Sequence, residues 1–152
     1  MVSALAGVGL TLVGTALADK RKAKQERRRI GEDRIFQVGA DLSRALTELA
    51  RTLRTTAEQL DELASSAVDQ FVTRVNDLVG QTRSHSALMR IIAAPQVVTK
   101  VCEIESALAP LQALAASATR SGDDTALVES ATVLIGLRDN LIGEVRSAAG
   151  IS

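Results

Sequence analysis

Tryptophan and tyrosine are absent from this 152-residue chain, and its aromatic content reduces to Phe36 and Phe71. It therefore offers no aromatic belt for a membrane interface and no stacking platform for nucleic-acid bases. A lone cysteine, Cys102, excludes an internal disulfide framework and fits a reducing compartment. With His85 as the single histidine, a His/Cys zinc site cannot form within one chain. No glycine-rich phosphate loop of the GxxxxGK(S/T) kind occurs, and no GxGxxG follows a strand. Net charge is zero, yet it is unevenly placed. Residues 19–34 carry eight Lys/Arg against four Asp/Glu, whereas residues 35–152 carry ten against fourteen.

What is present begins with an uninterrupted apolar stretch. Val2 to Ala18 contains no ionisable side chain, and Lys20, Arg21, Lys22, Lys24, Arg27, Arg28 and Arg29 follow at once. As a helix, these 17 residues span about 26 Å, a little short of a typical hydrocarbon core of roughly 30 Å. The charge order predicts a single-pass membrane helix over residues 1–18, with its N-terminus outside and a cytoplasmic basic segment over 19–34. Two other readings stay open. Ala16-Leu17-Ala18 before Asp19 has the small-x-small form of a signal-peptide cleavage site. A buried helix of a soluble assembly is the second, although Ser3, Thr11 and Thr15 give it little polar face.

Inside the span, Ser3, Gly7, Thr11 and Thr15 recur every four residues, and Gly14 and Ala18 form a second such pair. Small residues at this spacing let two membrane helices approach closely, though they are also common in membrane helices generally. The basic cluster (Lys20, Arg21, Lys22, Lys24, Arg27, Arg28, Arg29) is of the size that attracts anionic lipid headgroups. Nucleic acid is not expected as a partner, since the patch is short and an acidic body follows it.

From Ile35 the apolar residues fall at 35, 38, 42, 46, 49, 53, 57, 60, 64, 68, 71, 75 and 79, the steps of three and four of an amphipathic helix. One unbroken helix over 34–79 would outrun its partners, so a turn near Ala64–Ala67 is expected, with Ser65-Ser66 as N-cap. The polar run Gln81–Ser86 reads as a helix boundary with His85 on its surface. Pro95 suits the first turn of a helix that buries Val97, Val101, Ile104, Leu108, Leu111, Ala115 and Ala118, with a kink at Pro110. Cys102 reads as a small core residue of that helix. Gly122 is the expected stop before a last helix with paired heptad lines, Leu127/Leu134/Leu141 and Val128/Ile135/Ile142, both expected to be buried. Gly136, Gly143 and Gly150 share a line expected to face solvent.

The expected fold is therefore all-α: an N-terminal membrane helix, then an antiparallel bundle of about four helices over residues 35–152. Arg27-Arg28-Arg29-Ile30-Gly31-Glu32-Asp33-Arg34 and the helix start Ala93-Ala94-Pro95-Gln96-Val97-Val98 carry a resemblance. In layout the chain resembles a loose set of uncharacterised, largely actinobacterial small membrane proteins with a short membrane helix, an Arg-rich stretch and a Leu/Ala-rich bundle. That resemblance implies a cytoplasmic helical bundle and no site residues. The sequence reading is a membrane-anchored interaction or scaffolding protein at the cytoplasmic face of the cell membrane. No enzyme activity, cofactor or metal is expected; the partners are anionic lipid, further copies of the chain or another protein.

Overall fold

The computed structural model describes residues 2–151, with side chains from Thr15 to Ile151. Every regular element is helical: α1 (Val2–Glu58), α2 (Ser65–Ile92), α3 (Pro95–Leu108), α4 (Leu111–Ser121) and α5 (Asp124–Ala148), with a single 3₁₀ turn at Leu60–Glu62. The chain divides into two units, residues 1–34 and 35–152. The second begins at Ile35, the first residue of the apolar stripe.

In the second unit the stripe is buried except at its start and around the turn, where Ile35, Leu60 and Val68 are half-buried and Ala64 is exposed. Val38, Leu42, Leu46, Leu49, Leu53, Ala57, Phe71, Val75 and Val79 are buried, as are all seven expected positions from Val97 to Ala118. These residues form one core with Leu127, Leu134 and Leu141 of α5. Gly39 of α1 approaches both α2 and α5: a β-carbon there would lie 3.3 Å from Met89 Cε and 3.8 Å from Val145 Cγ2. Glu48 reaches Arg74 of α2 (3.5 Å), and Arg138 of α5 donates to Thr47 Oγ1 (2.9 Å). On the other side α2 and α5 each contact α3 and α4. The result is an up-down-up-down bundle of four arms in which α3 and α4 together form the third.

Several joints differ from the sequence reading, each for a local reason. The first break comes earlier, at residues 59–64, and Ala64 is the N-cap of α2 without any side-chain cap. Ser65 and Ser66 instead stand at the first two helical positions. Glu58, Asp61 and Glu62 cluster at the C-terminal end of α1, where the helix dipole disfavours carboxylates, and so they help to end it. Pro110 ends α3 rather than kinking it from within. It lacks the N–H that a continuous helix needs, and its carbonyl restarts the ladder by accepting from Leu114 N (2.9 Å). At the last joint Gly122 is the stop, as expected, in the left-handed conformation (φ 73°), and Asp123 accepts from Ala126 N (3.2 Å) as N-cap of α5.

Of the two heptad lines expected to be buried on α5 only one is, and the core side continues through Ala131 and Val145 instead. Leu127, Leu134 and Leu141 are inaccessible, but Val128 is exposed and Ile135 and Ile142 lie at the margin. A corner helix of a four-arm bundle has two neighbours, and its second line falls at the edge of their contact. Gly136 and Gly143 face open space, with nothing within 4 Å of an added β-carbon. Gly143→Ala should therefore stabilise the bundle by about 0.5–1 kcal/mol, the helix-propensity difference unopposed by any contact. Thermal unfolding followed by circular dichroism checks this, and a decrease in stability would mean that the face is covered.

Among the described residues no helix is long and apolar enough to cross a membrane. Most of the span expected over 1–18, including Ser3, Gly7, Thr11 and Gly14, lies outside the described side chains.

Candidate functional site

Three surface features stand out, and the first lies in residues 15–34. Every side chain from Thr15 to Arg34 is exposed, including Ala18 and the basic residues Lys20, Arg21, Lys22, Lys24, Arg27, Arg28 and Arg29. Among the described residues, Arg28 is the one member of this set in an ion pair, with Glu32 at 3.4 Å. The helix sorts these charges by face. Asp19, Glu26 and Asp33 recur at heptad spacing on one line, while Lys20, Lys24, Arg27 and Arg28 share another arc. That arc of four cations is suited to a flat anionic surface, while Lys22 and Arg29 lie on the other side of the helix. Leu17 and Ile30 are more than half exposed.

The second feature is a polar groove of about 500 Å³ between α1 and α2, lined by Asp41, Arg44, Ala45, Glu48, Arg74, Leu78, Gln81 and His85. Residues 81–86 lie in the middle of α2, not at a helix boundary, and His85 is half-buried there. The groove gathers acids, cations and an imidazole, and both acids are paired with arginines. Glu48 is held by Arg51 (3.0 Å) and Arg74 (3.5 Å), and Asp41 by Arg44 (3.5 Å). Among the described residues no hydrogen bond joins His85 to either carboxylate, as a base oriented for proton transfer would require. Cys102 departs from its expected place: it is exposed on α3, not packed in the core, and the buried line passes through Val101 and Ile104 instead. Cys102 and His85 sit on different helices, α3 and α2.

The third feature is an apolar groove of about 370 Å³ between α1 and α5. Phe36, Ala40, Leu141, Ile142 and Val145 line it, with Arg44 and Arg146 at its margin. Sequence reasoning missed this groove, because it arises where short side chains at Ala40 and Ser43 meet longer ones on another helix. Among the described residues no group of three or more His, Cys, Asp or Glu side chains is placed to hold a metal ion.

No protein-family model, no curated protein and no solved structure matches this chain.

Proposed function

We propose that this chain is a membrane-anchored helical interaction protein. The anchor and basic segment hold the bundle at the cytoplasmic face of the cell membrane, with the N-terminus outside. The observation that carries this reading is the order of segments: a charge-free apolar run, an exposed basic stretch, then a bundle with a core of its own. Location is then the mechanism. Tethering raises the local concentration of the bundle at one surface, which favours encounters with partners held there. Seven cations beyond the apolar run retain that flank on the cytoplasmic side and add attraction to anionic headgroups. Small residues at Ser3, Gly7, Thr11, Gly14 and Ala18 supply a face through which two anchors can associate. No catalytic role is assigned to the bundle.

Fractionation of the full-length chain tests the proposal. The protein should stay with the membrane pellet through high-salt and alkaline washes and be released by detergent. Recovery of intact chain in the supernatant without detergent would overturn the anchor. A mature N-terminus at Asp19 would show instead that Ala16-Leu17-Ala18 directs cleavage and export.

A further inference from the structure

We propose that the groove between α1 and α5 seats an acyl chain of an anionic phospholipid, with Arg146 against its headgroup. The membrane reading above supplies the source of the lipid; the groove itself is an independent observation.

The lining argues for an amphiphile. Phe36, Leu141, Ile142 and Val145 line the groove, and no Asp or Glu does. Its volume of about 370 Å³ falls within the range of small-molecule sites, roughly 300–1,000 Å³. Among the described residues Arg146 has no carboxylate partner, while Arg44 meets only Asp41 at 3.5 Å and is 78% exposed. An unpaired guanidinium at Arg146, beside an apolar trough, complements a ligand that is apolar along its length and anionic at one end. Arginine suits a phosphate head in particular, because its planar fork offers paired donors.

The position of the groove points the same way. It lies at the end of the bundle that holds Ile35, Ile92, Pro95 and Ala148. The half of the bundle at that end (residues 35–46, 79–108 and 137–152) carries six Lys/Arg against five Asp/Glu. The opposite half carries four against nine. Phe36, Leu88, Ile91 and Ile151, four of the exposed large apolar residues, gather at the less acidic end. An anionic bilayer repels the acidic end and tolerates this one.

The absence of tryptophan and tyrosine makes the test direct. Full-length Phe36→Trp and, separately, Ile142→Trp each place a sole indole in the groove, whereas Ile91→Trp places one at the same end outside it. Each variant in dodecyl maltoside micelles is titrated with phosphatidylglycerol, or phosphatidylcholine, carrying a nitroxide on the acyl chain. Saturable quenching at positions 36 and 142 is expected, at least twice that at 91 and stronger with phosphatidylglycerol. Arg146→Glu should raise the half-saturating lipid about tenfold. Equal quenching at all three positions, equal response to both lipids, or indifference to Arg146→Glu would overturn the proposal. So would an indole signal that follows protein concentration without lipid, which would assign the groove to a second copy. Micelles require no anchorage, so failure here and failure of the membrane reading are separate results.

Discussion

Leu49→Ala should lower the stability of the bundle by about 3 kcal/mol, within the roughly 2–5 kcal/mol seen for leucine truncation in close-packed cores. Leu49 is fully inaccessible, and Leu46 and Leu53, one helical turn to either side, are equally closed off. The lost contacts have two parts. Removing the side-chain carbons forfeits their transfer free energy, and the surrounding leucines cannot collapse fully into the space. A helical domain is marginally stable, by about 5–15 kcal/mol, so this one change removes a large fraction of the total. Urea unfolding of residues 19–152, followed by circular dichroism, gives the number. Val133→Ala is the control, because Val133 is 54% exposed on α5 and surface truncation changes stability by about 0.5 kcal/mol or less. A loss below about 1 kcal/mol at Leu49 would mean that residues 35–58 do not pack as an arm of this bundle.

That leucine was legible in the sequence, and the reason bears on what else was. Buried positions of a bundle repeat with the period of the helix, so wherever those positions are apolar the pattern is visible without coordinates. All seven residues from Val97 to Ala118 are of this kind. The pattern fails where polar residues occupy core positions. On α2 the buried line runs Phe71, Val75, Leu78, Thr82, Ser86, Met89, still in helical steps, but Thr82 and Ser86 hide it within the polar run Gln81–Ser86. Thr82 is tolerated because its hydroxyl donates to Leu78 O at 2.7 Å. Ser86 Oγ is buried without a hydrogen-bond partner among the described residues, so nothing in its packing marks the position as polar or apolar. Cys102 shows the converse error: an apolar residue at the edge of a stripe was read as inside it. The apolar groove was illegible for a further reason. It depends on the relation between two helices about a hundred residues apart, and periodicity within one helix carries no such information.

Replacing Lys20, Lys24, Arg27 and Arg28 by glutamine should weaken binding to phosphatidylglycerol vesicles by about three orders of magnitude, in a chain that begins at Asp19. Removing the apolar run leaves the basic segment as the principal attraction, so the measurement isolates it. Each Lys or Arg near an anionic surface contributes about 1 kcal/mol, and four such losses, at about 1.4 kcal/mol per tenfold change, give the predicted factor. These four were chosen by geometry. They share one arc of α1, opposite the line of Asp19, Glu26 and Asp33, so a helix lying on the surface can present all four together. Lys22 and Arg29 point away from that arc, and their replacement should cost much less per residue. The attraction is little shielded by internal pairing, since of these four only Arg28 has a carboxylate partner among the described residues. It should also fade with salt, because the screening length falls from about 10 Å at 0.1 M to about 3 Å at 1 M. Sedimentation with vesicles of graded phosphatidylglycerol content measures all three effects. Equal loss from both faces would show that the segment acts as diffuse charge without a defined orientation. Binding that ignores both salt and substitution would remove the basic segment from the lipid-binding account and leave the apolar run as the whole of the anchor.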